Sequence, residues 1–499
     1  MILNIPKGLF ATPLQKTLAL LLIALTGMLL ITLVVQQVGF PEPTIQDEFA
    51  YLLGADTFLE GRLTNPTPPL SEFFESYHVN LTPTYHSKYP PGQSAFLALG
   101  KLIFGREIYG VWLSFILAAV AVVWALQAVF PARWSILGGL LAIANSTLLL
   151  KWAFSFWGGS VAMLGGALLM GGMLRLYQNP RISAAVWASC GLFIMAFSRP
   201  LEGLLTAGML LLFYVGSLVK TERDFSKIKQ SYRVGAIFVI TGLLIFGLNL
   251  VYNKTLTGSV FTFPHMNWNP RESAHEIIRA YQGSESYTLF FKLNRFFAVF
   301  IGPFLWIPVL LVFRRIRDPR ILAAMVTLLF VSIYSATTSR AWPHYIAPII
   351  PILIGLQIAG CRMLCRWKVG TTHLGFILFA LLLVLHFGDE FKSFTIQSGQ
   401  INYQAFREQG AMFKRDVDEI FAEKSGKHLL FVRYLEGHKN HWEYVYNRAD
   451  IPSAKVIWAR EMSLEENRQL IETYSDRQIW VLLIQNFSVE MIEIKRPES

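Results

Sequence analysis

Two adjacent acids, Asp47 and Glu48, follow the first long apolar run of the sequence, in the stretch QDEFAYLLGADTFLEG. A carboxylate in such a position can take a proton from a reacting hydroxyl group, which is the role of a general base. It can also complement the dipole of a helix that begins there, a contribution of about 0.3–1 kcal/mol. The stretch is predicted to form a short amphipathic helix that ends at Gly61 and lies on the outer leaflet of a membrane. The acid pair alone does not decide between catalysis and helix capping.

Three isolated cations occur in other segments that connect apolar runs. Lys88 precedes Tyr-Pro-Pro, which imposes an extended chain until a helix can begin at Gly92. Arg199 lies in FSRPLEG and Arg340 in TTSRAWPHYIAP, each beside a proline at the start of an apolar run. A fixed cation of this kind can bind a phosphate, although Lys88 is also compatible with a lysine that simply reaches the membrane interface.

The same segments carry further side chains that are candidates to line a substrate site. They are Tyr89, His86, Glu202 and His344, together with His265 from the loop 252–294. Other motifs are weaker. The acids of RDVDE, Asp416 and Asp418, are expected on the solvated face of a helix rather than at a metal, and the three cysteines suggest no disulfide framework.

Membrane helices must position these residues. Of the 499 residues 53% are hydrophobic and 15% are charged, whereas soluble proteins carry about 25% charged residues. Eleven apolar segments are long enough to cross a bilayer. They lie near 15–37, 109–130, 134–150, 159–177, 182–198, 201–219, 233–251, 295–313, 321–337, 343–361 and 371–387. The net charge of +11 comes largely from basic clusters between these segments, which indicates membrane topology rather than nucleic-acid binding.

The distribution of charge predicts the orientation. The connections on the side of the N-terminus are short and basic, and the only acids there are Glu222, Asp224 and Asp318. The positive-inside rule therefore places the N-terminus in the cytoplasm. The first apolar run is too long for a signal-peptide core, and we expect it to be a retained anchor. The long loop 38–108 and the C-terminal region 388–499 then lie outside, in what we expect to be a bacterial inner (plasma) membrane protein.

The C-terminal region has a different pattern from residues 1–387. KHLLFVRYL, AKVIWAR and RQIWVLLIQ are typical of strands, and they alternate with helical segments. Ser463 and Glu466 form a capping box at the start of one helix. The sequence thus predicts a transmembrane domain over 1–387 and a small extracytoplasmic α/β domain over 388–499, with a mainly parallel sheet.

A carboxylate and several cations on the outer side fit glycosyl transfer. The carboxylate would deprotonate an acceptor, and the cations would stabilise a departing phosphate. Nucleotide sugars are not expected outside the cell, so a lipid-carried donor is the sensible choice.

Over residues 15–387 the chain resembles the GT-C glycosyltransferases, specifically the bacterial relatives of protein O-mannosyltransferases and of the lipid A aminoarabinose transferase. The motifs that carry the resemblance are QDEFAYLLGA, KYPPG, SRPLEG, YNKTLTGS and RAWPHYIAPIIP.

The resemblance implies a polytopic GT-C-like fold and a role for several residues. Asp47 would be the general base, Glu48 its supporting partner, and Lys88 a contact to the donor phosphate. Further phosphate or lipid contacts would be Arg199, Arg340 and Tyr345. The family transfers a sugar from a polyprenyl-phosphate donor, generally with inversion, and the acceptor could be a glycan, a lipid or a protein. Some members bind a divalent metal ion, for which the resemblance assigns no ligands in this chain.

Three alternatives remain open at this stage. One is a transporter or flippase of a lipid-linked saccharide, which should place ionisable residues near the bilayer midplane; the predicted spans hold almost none. Another is a glycan polymerase or ligase of similar architecture that uses a lipid-diphosphate donor. The third is a non-catalytic membrane scaffold that displays the C-terminal domain and does not need Asp47 or Lys88.

Overall fold

The structure is a computed structural model that describes residues 12–219, 225–266, 288–338, 342–439 and 441–494. Helices dominate it. They are α1 (Pro13–Val38), α2 (Gln46–Leu59), α3 (Gly92–Phe104), α4 (Ile108–Leu126), α5 (Ala132–Ile143), α6 (Ser160–Gln178), α7 (Ile182–Ala196), α8 (Pro200–Val219), α9 (Phe225–Thr257), α10 (Leu289–Ile301), α11 (Trp306–Leu311), α12 (Pro319–Thr338), α13 (Ile350–Leu364), α14 (Leu374–Gln400), α15 (Tyr403–Glu408), α16 (Lys414–Glu423) and α17 (Leu464–Thr473).

Within the described ranges, eight helices are long and apolar enough to cross a membrane. A ninth candidate is the pair formed by α10 and the helix that follows it, if the two are one span bent by 105°. The apolar helices α5 and α7 are shorter, at 12 and 15 residues. The predicted polytopic helical fold is confirmed, and the number of spans stays a prediction.

The centre of the helical bundle is tightly packed around α6. Its neighbours are α4, α7 and the helical turn that leads into α13, Pro343–Ile349. Gly166 lies so close to this turn that a Cβ atom there would come within 1.9 Å of the carbonyl oxygen of Pro348. Small residues let membrane helices approach closely, and this contact fixes the turn that carries His344 and Tyr345.

The loop between α1 and α4 folds into α2, α3 and a two-stranded hairpin of β1 (Val79–Asn80) and β2 (His86–Ser87). From its sequence, α2 was expected to be an amphipathic helix on the outer leaflet. That expectation is wrong, because nine of its 14 residues are buried. Its apolar side chains share a core with α3 and with the C-terminal sheet.

The C-terminal region contains the predicted strands as β3 (Lys427–Tyr434), β4 (Val456–Arg460) and β5 (Arg477–Gln485), together with β6 (Ser488–Ile494). The order in the sheet is β4-β3-β5-β6, with β3 parallel to both neighbours and β6 antiparallel to β5. Alternate residues of β3 point to opposite faces. Phe431 joins the core of α2, and Leu430 joins a second core with α16. Helix α14 runs past residue 387, where the sequence suggested a domain boundary.

Candidate active site

Asp47 lies in the first turn of α2 and contacts two residues that are distant in sequence. The Tyr89 hydroxyl donates a hydrogen bond to Oδ1 of Asp47. Nε2 of His78 lies 3.4 Å from Oδ2 of the same carboxylate. The backbone of His78 has a φ of 72°, a left-handed conformation that is unusual for a residue with a side chain. A turn of the loop thus brings an imidazole to the candidate base.

The electrostatic environment keeps Asp47 ionised. Burial by itself raises the pKa of this carboxyl, but the contacts with His78, the hydrogen bond from Tyr89 and the charge of Lys88 outweigh it, so that the pKa falls well below its ordinary value. Burial lowers the pKa of His78, and the proximity of Asp47 offsets only part of that effect. A neutral imidazole can still donate a hydrogen bond from Nε2, so we assign the charge of the pair to Asp47.

Aromatic rings surround Lys88 and the candidate base. The rings of Tyr51 and Tyr89 stack with centroids 4.5 Å apart. Nζ of Lys88 lies 5.4 Å from the ring centroid of Tyr89 and 5.9 Å from that of Tyr77. Burial lowers the pKa of Lys88 to about 8, although Asp47 acts in the opposite direction. Lys88 is therefore a partly desolvated cation, whose attraction for an anion is stronger than in water.

The carboxylate of Glu48 accepts three hydrogen bonds from backbone N–H groups. Its Oε2 accepts hydrogen bonds from the N–H groups of Thr44 at 2.8 Å and Ile45 at 3.2 Å, and its Oε1 accepts one from Phe156 at 3.0 Å. Burial raises the pKa of Glu48 to about 7 in spite of these bonds, which favour the ionised form. Glu48 thus caps α2 and ties it to the segment that precedes α6.

A second cation, Arg199, lies at the start of α8. Its guanidinium carbon is 4.6 Å from the ring centroid of Tyr345, and it interacts electrostatically with Tyr51 and Tyr89. The KYPPG segment is attached to this turn, because the N–H of Gly92 donates to the carbonyl of Phe197 at 2.6 Å. A Cβ atom at Gly92 would clash with that carbonyl. Lys88 and Arg199 are therefore held on adjoining segments.

The remaining predicted residues differ in their surroundings. His344 packs between Trp157 and Tyr345, at centroid distances of 4.5 and 4.7 Å. Glu202 is buried in the first turn of α8, where it interacts electrostatically with Arg199. Arg340 lies outside the described residues.

Two predicted histidines occupy separate positions near the β1–β2 hairpin. His86 is buried, and its ring nitrogens contact the Thr84 hydroxyl at 3.0 Å and the Asn80 amide at 2.9 Å. The Asn80 amide also donates to the Pro264 carbonyl, so that His86 supports the attachment of the hairpin to the segment after α9. His265 is exposed beside this segment and interacts electrostatically with Lys88.

The acids of the RDVDE stretch form a helix cap and ion pairs within the C-terminal region. Asp416 caps α16 by accepting from the N–H of Phe413, and it pairs with Arg407. Asp418 pairs with Lys414 at 2.7 Å. Among the described residues, no group of three or more His, Cys, Asp or Glu side chains is arranged to hold a metal ion.

The C-terminal region holds the start of α2 through Trp442, Glu443 and Arg460, which together form a brace behind this helix. The N–H of Glu443 donates to the carbonyl of Thr44 at 3.0 Å, and Trp442 forms a β-bridge with Ile45. Arg460 pairs with Glu443 at 2.6 Å and also donates to the carbonyl of Glu75, three residues before His78. The C-terminal region thus supports the segments that carry both Asp47 and its partner His78.

The sequence pointed to Asp47, Lys88 and Tyr89 but not to His78, Tyr51 or Tyr77. The available signal was the stretch SYHVN, which lies in the same loop as Asp47 and contains a histidine beside a tyrosine. Its importance depends on a long-range turn that a single sequence does not specify.

Solved structures with the same fold include ArnT from Cupriavidus metallidurans, with 14% sequence identity and a TM-score of 0.54 over 93% of this chain and 92% of that one. Another is ArnT bound to undecaprenyl phosphate, at 13% identity and a TM-score of 0.53 over the same shares. The Archaeoglobus fulgidus oligosaccharyltransferase AglB, in complex with an inhibitory peptide and a dolichol-phosphate, is 11% identical, with a TM-score of 0.53 over 94% of this chain and 69% of that one.

These similarities define the class of fold. The chain has the fold of the GT-C membrane glycosyltransferases, as its motifs predicted. No protein-family model matches the sequence, and no curated protein matches it significantly. At 14% identity or less, the particular chemistry has to be argued from the site itself.

Proposed function

We propose that this protein is an integral-membrane glycosyltransferase that moves a sugar from a polyprenyl-phosphate donor to an acceptor nucleophile on the extracytoplasmic face. The observation that carries the proposal is the ionised carboxylate of Asp47, which is oriented by Tyr89 and His78 and lies near the half-buried cation Lys88. A base and a phosphate-binding cation on one loop are the two groups that such a transfer requires.

In the proposed reaction, the acceptor hydroxyl attacks the anomeric carbon and gives its proton to Oδ2 of Asp47. The bond between the anomeric carbon and the phosphate oxygen breaks, and its electron pair leaves with the lipid phosphate. Lys88 and Arg199 stabilise the negative charge on that phosphate. A single displacement from the opposite face inverts the anomeric carbon and needs no second carboxylate as a nucleophile.

His78 and Tyr89 act on Asp47 as positioning residues. Each hydrogen bond to the carboxylate fixes its orientation and favours its charged form. A strongly ionised carboxylate is a weak base, so its contribution rests on its placement against the attacking hydroxyl. The imidazole of His78 would assist by holding Oδ2 toward that hydroxyl.

Two solved structures of the same fold support the donor class. The solved ArnT and AglB structures were obtained with undecaprenyl phosphate and with a dolichol-phosphate. We extend this lipid-phosphate chemistry to the present chain, with an N-terminus in the cytoplasm and the region 388–499 as an outer α/β domain in a bacterial inner membrane. A glycan polymerase or ligase with a lipid-diphosphate donor would use the same architecture.

A panel of donors tests the proposal. Purified protein in detergent is offered polyprenyl-phosphate sugars and polyprenyl-diphosphate saccharides, and release of the free lipid phosphate or diphosphate is measured. We expect consumption of a monophosphate donor and its loss in Asp47→Asn. Consumption of diphosphate donors alone would replace the transferase with the polymerase or ligase alternative. Equal consumption by wild type and Asp47→Asn would refute the assigned base.

A further inference from the structure

A cavity of about 490 Å³ opens at the end of the helical bundle that lies away from Asp47. Helix α6 connects the two ends: it begins at Ser160, close to the Phe156 that binds Glu48, and it reaches this cavity at Tyr177. The floor of the cavity is apolar. Residues from α4, α6, α8, α12 and α13 line it, among them Leu126, Met170, Met173, Leu210 and Leu356.

Arginines surround the mouth of this cavity. They come from the segment before α12, the first turn of α12, the end of α13 and the turn after it, and they are Arg314, Arg315, Arg317, Arg320, Arg362 and Arg366. Asp318 is the acid that lines the same mouth, and Arg320 satisfies it through two hydrogen bonds of 3.0 Å. In the part of the chain that the structure describes, none of the other five arginines has a carboxylate oxygen within 4.0 Å.

Two polar groups in the lining lack partners. Nη1 of Arg362 and the hydroxyl of Tyr177 are buried, and neither forms a hydrogen bond with any described residue. Buried donors are nearly always satisfied by protein, water or a ligand. Their position next to an apolar floor suits a ligand that has a polar acceptor at one end and a hydrocarbon part at the other.

We propose that this cavity binds an anionic membrane phospholipid, whose head group carries a net negative charge. The acyl chain would lie on the apolar floor, and the phosphate would accept hydrogen bonds from Arg315, Arg317 and Arg362. The positive-inside rule accounts for basic residues at this end of the bundle, but not for their arrangement around an apolar cavity. Basic pockets between transmembrane helices on the cytoplasmic side are recognised sites for anionic lipid head groups.

The proposal does not depend on the glycosyltransferase activity, because the cavity and Asp47 lie at opposite ends of the bundle. It also differs from simple attraction of anions to a basic surface. A free phosphate would need only the arginines, whereas a phospholipid needs both the arginines and the apolar space. Gly355 offers a way to separate the two, since a Cβ atom there would meet only Leu126, at 3.6 Å.

Native mass spectrometry of the purified full chain tests the proposal. The protein is titrated with dioleoyl-phosphatidylglycerol or dioleoyl-phosphatidylcholine, and the bound copies of each lipid are counted. The pocket variant replaces Arg315, Arg317 and Arg362 with Gln. The control variant replaces Lys16, Arg181 and Lys368 with Gln. These are three other basic residues of the predicted cytoplasmic side, so the same charge is removed elsewhere. A third variant, Gly355→Leu, fills the cavity without changing the charge.

We expect one phosphatidylglycerol to be retained per chain and phosphatidylcholine to bind at least tenfold more weakly. The pocket variant should weaken phosphatidylglycerol binding by at least tenfold, Gly355→Leu should weaken it severalfold, and the control variant should retain it. Equal losses in the pocket and control variants would overturn the proposal in favour of diffuse charge. Unchanged binding in Gly355→Leu would overturn the role of the apolar floor.

Discussion

The Tyr89 hydroxyl donates a hydrogen bond to the Asp47 carboxylate from 42 residues further along the chain. The bond closes the loop between α1 and α4, because Asp47 begins α2 and Tyr89 lies just before α3. The ring of Tyr89 also stacks on Tyr51, one helical turn after Asp47. One tyrosine thus orients the candidate base and fixes the approach of Lys88 to it.

Removing that hydroxyl should impair transfer in a pH-dependent way. In Tyr89→Phe we expect about a tenfold loss of kcat, because a hydrogen bond to a charged group is worth about 1.5–3 kcal/mol. The bond lowers the pKa of Asp47, so its loss raises that pKa. The acidic limb of the pH–rate profile should therefore shift to higher pH. Tyr85→Phe is the control, since the Tyr85 hydroxyl binds the Asn447 carbonyl instead. A shift in the control alone would contradict the assignment.

Donor binding should weaken above pH 8 through Lys88. Burial lowers the pKa of Lys88 to about 8, so the side chain is cationic below that pH and loses its charge above it. We expect KM for the donor to rise up to about tenfold per pH unit between pH 8 and 10, the limiting slope for one titrating group. Lys88→Arg keeps its charge over this range and should give a flat profile. Parallel profiles in the two proteins would show that Lys88 does not hold the phosphate.

Glu48 should make thermal stability depend on pH. Burial raises the pKa of Glu48 to about 7 in the folded state, above the value of 4.5 for an unperturbed carboxyl. Its contribution is then fully present below pH 4.5 and lost as the pH rises through 7. Relative to Glu48→Gln, the wild type should lose Tm between pH 5 and 8. A constant difference over this range would mean that the three backbone N–H groups keep Glu48 ionised throughout.

The brace behind α2 should be sensitive to Arg460. Glu443 is 1% exposed, and removal of its partner leaves a buried carboxylate without its cation. We expect Arg460→Gln to lower the free energy of unfolding by about 3 kcal/mol, at the low end for a broken buried pair because Arg460 itself is partly exposed. Arg433→Gln breaks the pair with Glu461, in which Arg433 is 55% exposed, and should have little effect. Equal Tm values for the two variants would exclude the proposed brace.

The sequence predicted those features that depend on composition and local patterns. The length of the apolar segments predicted the membrane helices, and the alternation of strand and helix patterns predicted the C-terminal sheet. The capping box at Ser463 and Glu466 is present as predicted. Strand β6 escaped prediction because it forms the edge of the sheet and none of its residues is fully buried.

The features that escaped prediction depend on distant contacts. Helix α2 was predicted to be amphipathic, but the sheet that covers it lies more than 350 residues further along the chain. His78 gains its position from a left-handed backbone conformation and from the support of Glu75 by Arg460. The 105° bend after α10 is likewise not apparent in the apolar pattern of its sequence.

The most direct test of the central claim compares two aspartates of the same helix. Asp47 faces Tyr89 and His78, whereas the half-buried Asp56 accepts a hydrogen bond from Tyr446. Single-turnover transfer from a polyprenyl-phosphate sugar should fall at least about 100-fold in Asp47→Asn, with donor binding unchanged, and less than about threefold in Asp56→Asn. Equal rates in wild type and Asp47→Asn, or equal losses in the two variants, would contradict the assignment of Asp47 as the general base.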